Sequence, residues 1–218
     1  MKNCTPPENH ATRRVTVAGW ITALVVVSTV ALPQAARADH VTPPPVPTAV
    51  QVPGGNNAFL EGHAVGTQNY ICLPSATGFA WTLFGPQATL FNAEKKQIIT
   101  HFLSPNPFET GAPRATWQHS RDTSAVWAVM TGFSSDPQFV APGAIPWFLL
   151  QVVGAQDGPT EGDKLTETTF IQRLNTVGGI APATGCVMST DVGKKVLVPY
   201  AADYFFYRDA KKDDDDRN

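Results

Sequence analysis

The spread of proline and glycine along the chain most constrains what it can fold into. The 218 residues include 19 prolines and 17 glycines, distributed through the sequence rather than confined to one linker. Proline removes a backbone donor and breaks helix interiors, where glycine is also unfavourable. No window places apolar residues at helical spacing over a helical length. The sequence therefore predicts a fold made of short strands.

The runs between these turn residues are strand-length and rich in Val, Ile, Thr and aromatic residues. Short strands separated by turns are typical of a sandwich or a barrel, so we predict an all-β, antiparallel β-sandwich or barrel-like domain with long loops. Residues 145–153 are apolar at successive positions, which indicates a central strand buried on both faces. The predicted strands span residues 58–64, 68–73, 79–84, 88–91, 97–102, 115–119, 126–133, 145–153, 168–175 and 195–207.

The N-terminus has the three-part pattern of a secretory signal peptide. Three basic residues precede an uncharged run of 18 residues at 15–32, and the small-residue triplet at 36–38 fits cleavage before Asp39. A membrane anchor is the alternative, because this run just reaches spanning length, and Arg13-Arg14 leaves twin-arginine export open. Residues 1–38 are therefore predicted to be removed from a secreted, extracellular protein, or a periplasmic one if the host has an outer membrane.

Three further segments follow the signal peptide. Residues 39–57 are predicted to be a Pro/Gly-rich extended arm, residues 58–208 a single β domain, and residues 209–218 a charged disordered tail. Loss of four basic residues and one acidic residue with the signal changes the formal net charge from −2 to −5. This balance argues against a nucleic-acid partner, and the mature chain has no apolar run that could span a bilayer. It is predicted to be soluble once exported.

Two of the three cysteines remain after cleavage, because Cys4 leaves with the signal. Cys72 and Cys186 are predicted to form one disulfide in an oxidising compartment. Free thiols or a thiolate metal site are the alternatives, but the sequence has no C-x-x-C spacing to support the latter.

Several phrases of the sequence resemble a known family. In their order and spacing they are similar to the family catalogued as domain of unknown function 3455, found in exported bacterial and fungal proteins, with the resemblance running from about Pro53 to Tyr207. The phrases are Gly66-Thr67-Gln68-Asn69-Tyr70-Ile71-Cys72, Pro86-Gln87-Ala88-Thr89-Leu90, Thr116-Trp117, Ala144-Ile145-Pro146-Trp147, Ile171-Gln172-Arg173, Gly178-Gly179 with Pro182 and Cys186, and Val198-Pro199-Tyr200-Ala201-Ala202-Asp203-Tyr204.

The resemblance implies no particular chemistry. Fungal members are often labelled malate dehydrogenase, but a nicotinamide dehydrogenase needs a βαβ unit with a glycine-rich phosphate turn, and this chain has no G-x-G-x-x-G. We therefore reject that label. Signatures of a nucleophile elbow, a P-loop, an H-E-x-x-H zinc site and an EF-hand are also absent from the sequence.

Three histidines on or beside predicted strands are the candidates for catalysis or metal binding. If neighbouring strands carry His101 and His119, their imidazoles could meet on one face, with His63 or Asp122 completing a metal site or an acid/base pair. Sequence does not fix the strand parity that this requires, and a histidine in a β domain is more often a hydrogen-bonded or surface residue. No cofactor is predicted, and a metal stays open.

The other candidates each have a structural alternative. The resemblance implies an Asp and a Ser at Asp122 and Ser124, where turn capping is the favoured interpretation. Trp117 is the best candidate for an exposed ligand platform among aromatic residues that otherwise build the core. Arg173, inside an apolar strand, is predicted to pair with a carboxylate such as Asp203. Carboxylate pairs for glycoside cleavage are a weaker option, and they would come from Glu61, Glu109 and Asp122.

Two functions follow from these observations. The favoured one is a non-catalytic binding or surface-associated protein with a glycan or protein partner. The alternative is a small secreted hydrolase or lyase, metal-dependent or not, acting through His101, His119 and Asp122.

Overall fold

The computed structural model describes residues 41–111 and 113–215, which form an eight-stranded antiparallel barrel. Each strand pairs with the next one along the chain, and the first pairs with the last to close the sheet. The all-β prediction is confirmed, with the barrel rather than the sandwich as its form. No parallel βαβ unit occurs within these two ranges. The strands are β1 (Asn56–Ser75), β2 (Gly78–Phe91), β3 (Gln97–Ser104), β4 (Arg114–His119), β5 (Ala125–Ser134), β6 (Trp147–Gln156), β7 (Phe170–Gly178) and β8 (Lys195–Asp209).

Helix in the described part of the chain is limited to two 3-10 turns, Thr48–Val50 and Ser189–Asp191, and one short α-helix, α1 (Ala210–Asp215). None of these helices has the length and hydropathy needed to cross a membrane. The charge run predicted a disordered tail from residue 209, but Asp209 ends β8 and α1 follows it. Lys212 Nζ lies 2.7 Å from Glu167 Oε1, which connects this end of the chain to the loop before β7.

The predicted signal peptide at residues 1–38 lies outside the described residues, as do residues 39–40 at the start of the arm and 216–218 at the end of the tail.

Two pairs of predicted strands are in fact two long strands. Residues 58–64 and 68–73 both belong to β1, and residues 79–84 and 88–91 both belong to β2. Gly66 stands between the first two predicted strands, but in the structure it is paired with Ala88 where the backbones of β1 and β2 come very close. A Cβ there would be 2.2 Å from the Gln87 carbonyl oxygen and 2.5 Å from Ala88 Cα. The glycine therefore permits a close contact between strands instead of ending one.

The barrel interior holds the main hydrophobic core, built mainly from side chains that point inward at alternate positions of the strands, with Ile145 and Leu165 added from the loops. Because the side-chain period of a strand is two, the register of each pair decides which residues enter this core. Its buried members are Ala64, Ala88, Leu90, Ile99, Trp117, Val126, Ala128, Ile145, Leu150, Leu165, Ile171, Tyr200, Ala202, Tyr204 and Phe206.

A second core lies on the outer face of β6, β7 and β8, under the N-terminal arm. Val50 of the arm is fully buried, and its carbonyl accepts a hydrogen bond of 2.6 Å from Gln172 Nε2. Trp147 and Leu149 face this second core, whereas Leu150 faces the barrel interior. The prediction of a strand buried on both faces is therefore confirmed for the first part of β6.

The predicted disulfide is confirmed. Cys72 near the end of β1 bonds to Cys186 in the loop between β7 and β8, across a sequence separation of 114 residues. Cys72 also exchanges backbone hydrogen bonds with the far end of this loop, accepting from Gly193 N and donating to Lys194 O, both at 2.9 Å. The bridge and these bonds hold the loop against the barrel.

Candidate functional site

A cavity of about 350 Å³ lies inside the barrel and reaches the surface at the end where β3 leads into β4. All eight strands contribute to its lining. Leu83, Leu103 and Met130 line it and are between 37% and 51% exposed, so they form an apolar mouth. We call this space the barrel cavity.

Deeper in the barrel cavity, the apolar wall is interrupted by buried polar side chains. Three of them, Gln68, Trp117 and Arg173, are 2%, 0% and 7% exposed. Gln68 Nε2, Trp117 Nε1 and Arg173 Nε make no hydrogen bond of standard geometry with any described residue, although the Gln68 side chain lies close enough to the Tyr200 hydroxyl, and the Arg173 side chain to the Tyr204 hydroxyl, to oppose the rise that burial causes in the pKa of each tyrosine. All three atoms are N–H donors, and buried donors are seldom left unpaired because desolvation of each costs free energy. We call these residues the donor cluster.

Arg173 places a positive charge in the barrel interior. Its Nη2 donates to the Pro146 carbonyl at 2.9 Å, and its guanidinium carbon lies 3.9 Å from the centre of the Phe148 ring. Within the described residues, no carboxylate lies within ion-pair distance of this guanidinium.

The predicted pairing of Arg173 with Asp203 is wrong, and strand register gives the reason. Arg173 lies opposite Tyr204, so Asp203 one residue earlier points to the outer face of the barrel. There Asp203 contacts His63 Nδ1 at 2.7 Å and accepts a hydrogen bond from Asn175 Nδ2 at 2.8 Å.

His101 lines the barrel cavity as a neutral side chain. Its Nδ1 lies 2.9 Å from the Thr116 carbonyl oxygen and, since a carbonyl only accepts, Nδ1 carries the proton. Burial lowers the pKa of His101 to about 3, the charge of Arg173 acts in the same direction, and the bond to Thr116 opposes them.

The sequence predicts that Trp117 is an exposed platform, and this placement is wrong because the residue is fully buried. It lies directly opposite His101 on the neighbouring strand and therefore faces the barrel interior. The two rings stack with their centres 4.2 Å apart. Trp117 still lines a cavity, but from inside the barrel.

Two tyrosines complete the polar interior. The hydroxyls of Tyr200 and Tyr204 lie 3.3 Å apart. Burial raises the pKa of both, and the nearby cation of Arg173 only partly opposes this. Both hydroxyls are therefore protonated at neutral pH and add no negative charge. Of the two arginines that line the barrel cavity, Arg114 is paired with Glu109, whereas Arg173 has no carboxylate partner among the described residues.

His119 and Asp122 are brought together, but in the turn between β4 and β5 rather than beside His101. Asp122 Oδ1 lies 2.9 Å from His119 Nδ1 and accepts from the Ser124 hydroxyl at 2.8 Å, while Oδ2 accepts from Lys164 N at 2.9 Å. Burial alone would raise the pKa of Asp122, but the donors from Lys164 and Ser124 lower it. These bonds connect the turn to the loop before β7.

The Ser124 hydroxyl links the two segments, which gives a test of this turn. Ser124 is fully buried, and its Oγ accepts from Leu165 N at 3.1 Å. We expect Ser124→Ala to lower the free energy of unfolding by about 1 to 3 kcal/mol, because it leaves a buried N–H unpaired. Urea unfolding measures this, with Ser120→Ala on the exposed side of the same turn as the control. Equal midpoints for the two variants would contradict the assignment.

The histidine set proposed from the sequence does not converge. His63 is on the outer face, where its ring and the carboxylates of Glu61 and Asp203 have one potential ligand atom each within 4.8 Å of one another. This is the one such group of three in the described ranges, and it includes neither His101 nor His119. The contact of 2.7 Å with Asp203 accounts for His63 as a surface ion pair or hydrogen bond. Glu109 has a separate partner, Arg114, with Nε–Oε1 at 2.5 Å.

Sequence reasoning missed Gln68 and both tyrosines, and it assigned Arg173 to the wrong face. The available signal was a basic residue among the apolar residues of the predicted strand at 168–175. A cation in such a segment indicates either a paired structural charge or a ligand site, and only the strand register separates these possibilities.

Comparison with known protein families matches residues 53–208 to the family described as "Protein of unknown function (DUF3455)". This confirms the resemblance found in the sequence. No curated protein and no solved structure match the chain.

Proposed function

Because the chain belongs to the DUF3455 family, whose description gives no activity, we propose a function from the barrel cavity: the domain binds a small organic molecule there without converting it. The observation that carries this proposal is the donor cluster, a set of buried and unpaired N–H groups in the wall of a space that reaches solvent. Specific small-molecule sites have this composition, a mostly apolar wall with a few placed polar groups.

The size of the barrel cavity supports a ligand of modest size. Its volume of about 350 Å³ is within the range of natural ligand pockets. A cavity of about 150 Å³ holds benzene, so simple scaling gives a ligand of about 14 non-hydrogen atoms. Eight strands also enclose an interior just wide enough for side chains or for one small ligand.

The protonation states of the titratable groups around the barrel cavity favour binding over catalysis. The His101 proton on Nδ1 is held by a backbone carbonyl, and the hydroxyls of Tyr200 and Tyr204 are protonated at neutral pH. None of these groups forms a nucleophile and base pair of the usual kind. Together they suit a site that holds a molecule in one orientation.

A glycan platform on the outer surface has less support. Sugar stacking requires an exposed aromatic face, but Trp117, the candidate from the sequence, is buried, as are Trp127 and Trp147. Trp81 is partly exposed, but its Nε1 donates to the Thr184 carbonyl at 2.9 Å. The exposed aromatic side chains of the described ranges are phenylalanines, Phe84, Phe108 and Phe133, which have no polar group to orient a sugar. The barrel cavity is therefore the better candidate for the ligand that the sequence predicted in general terms.

We also propose that the protein works outside the cytosol. The Cys72–Cys186 disulfide supports an oxidising compartment, and the signal-peptide pattern of residues 1–38 supports export to it.

The proposal is tested by following the indole N–H of Trp117 by NMR while 4-phenylbutanol or 4-phenylbutyrate is added to the purified, ¹⁵N-labelled protein. We expect at least one of these compounds to shift this signal saturably, because Trp117 lines the barrel cavity and its Nε1 makes no hydrogen bond of standard geometry. Trp117→Phe identifies the signal. No saturable shift with either compound at millimolar concentration would contradict the proposal.

Two matched tryptophan variants locate the binding. Ala115→Trp places a large side chain into the barrel cavity, and Gln118→Trp places the same side chain on β4 facing outward. We expect the first to weaken binding at least about tenfold and the second to leave it unchanged. Equal affinities in the two variants would place the ligand elsewhere and contradict the proposal.

A further inference from the structure

The charge of Arg173 distinguishes the donor cluster from an ordinary polar pocket. Arg173 is 7% exposed, and ionised groups are rarely buried to this extent without a counter-ion. Its described contacts, the Pro146 carbonyl, the face of Phe148 and the protonated Tyr204 side chain, carry no full negative charge. The barrel interior therefore holds a cation that lacks an anion.

We infer that the ligand of the barrel cavity is an organic carboxylate, whose oxygens accept hydrogen bonds from Arg173 Nε, Trp117 Nε1 and Gln68 Nε2 and whose apolar body extends toward the mouth. This inference rests on the proposed function and adds the chemical class of the ligand. A carboxylate only accepts hydrogen bonds, and its two oxygens offer about four acceptor positions, enough for all three donors. A neutral alcohol supplies one oxygen and no charge.

The remaining groups around the barrel cavity do not compete for Arg173. His101 is neutral, and Tyr200 and Tyr204 are protonated because burial disfavours their charged forms. Glu109 is the carboxylate paired with Arg114, which lines the barrel cavity. Both Glu109 oxygens accept hydrogen bonds from the Arg114 guanidinium, at 2.5 Å and 3.1 Å, so Glu109 already has its cation. A carboxylate from solution therefore meets a positive potential that no neighbouring acid cancels.

The apolar part of the ligand follows from the rest of the lining. Phe148 and Leu150 lie beside Arg173 in the wall, and Leu83, Leu103 and Met130 form the mouth. A ligand whose carboxylate is bound at the donor cluster would therefore place its hydrocarbon part against these apolar side chains, toward the mouth. Monocarboxylates with an aliphatic or aromatic body of about 8 to 12 carbons match this shape and the available volume.

The test compares acids with alcohols of the same carbon skeleton. Octanoate is compared with octanol, and 4-phenylbutyrate with 4-phenylbutanol, by calorimetric titration of the purified protein at pH 7. We expect each acid to bind at least about 30-fold more tightly than its alcohol, as is usual when a buried charge gains its partner. Equal affinity of acid and alcohol would overturn the inference while leaving the proposed function standing. Absence of binding by all four compounds would overturn both.

A pair of charge variants assigns the effect to one residue. Arg173→Met is expected to remove the preference for the acid, so that each acid and its alcohol bind with similar affinity in the variant. Arg208→Met, which removes the same charge from the opposite end of the barrel, is the control and should keep the preference. An acid preference that survives in Arg173→Met would overturn the inference. If that variant does not fold, the acid and alcohol comparison on the unaltered protein decides the question alone.

Discussion

Replacement of both Cys72 and Cys186 by alanine is expected to lower the free energy of unfolding by about 4 to 5 kcal/mol, the value of the chain-entropy model for a loop of this length. The bridge spans 114 residues, so the unfolded chain without it gains much conformational freedom. The native barrel should persist, because β1 and β8 remain paired up to Ile71 and Lys195, next to the bridge.

Urea unfolding of the unaltered protein and the double variant measures this difference. The unaltered protein in excess reductant is the control, and it should unfold at nearly the same midpoint as the double variant. A decrease of less than 1 kcal/mol would contradict the prediction and would mean that the denatured chain is already restricted by residual structure.

Acid should destabilise the barrel through His101. The unfolded state binds a proton on this side chain below a pKa of 6.5, whereas burial lowers the pKa of His101 in the folded state to about 3. Between these values the unfolded state binds more protons, so stability falls as the pH falls. The predicted loss due to His101 is about 3 kcal/mol at pH 4.5 and about 4 to 5 kcal/mol below pH 3.

The measurement compares the loss of unfolding free energy between pH 7 and pH 4.5 in the unaltered protein and in His101→Asn. Asparagine does not titrate, and its amide can still donate to the Thr116 carbonyl. Because each protein is compared with itself at two pH values, a packing defect in the variant cancels. His63→Gln, an exposed change, is the control. Equal acid losses in His101→Asn and the unaltered protein would contradict the prediction.

Both predictions depend on residues that the sequence alone assigned with unequal success. Cys72 and Cys186 are the two cysteines of the predicted mature chain, so their pairing required no knowledge of the fold. His101 was a candidate from its residue type, but its neutral state follows from burial in the barrel interior. Composition cannot provide that information.

The local sequence pattern was sufficient to locate most strands. It divided β1 and β2 in two because glycine and proline can mark either a turn or an irregularity inside a strand. Most predicted strands agree with β3–β8, because apolar alternation and turn residues act locally. Gly66 stands between two predicted strands, but its missing side chain permits a close contact with β2. Whether a glycine ends a strand or permits a close contact depends on residues far away in the chain, and a single sequence does not show which residues these are.

The donor cluster could not be predicted as a unit because its members are far apart in the chain. Gln68, Trp117 and Arg173 belong to β1, β4 and β7, and barrel closure brings them to one cavity. Considered alone, each residue has an ordinary structural explanation, such as a polar side chain on the solvent face of a strand or a charge with an ion-pair partner. Only the tertiary structure shows that these three residues line the same cavity.

The sequence by itself determined the all-β class, the family and the disulfide, because strand periodicity, motif order and cysteine number are properties of the chain. The tertiary structure decided that the sheet closes, that Trp117 points inward, and that Arg173 faces a cavity while Asp203 faces the outer surface. The physical reason is register. A shift of one residue moves every side chain of a strand to the other face, and register is fixed by packing across the whole barrel.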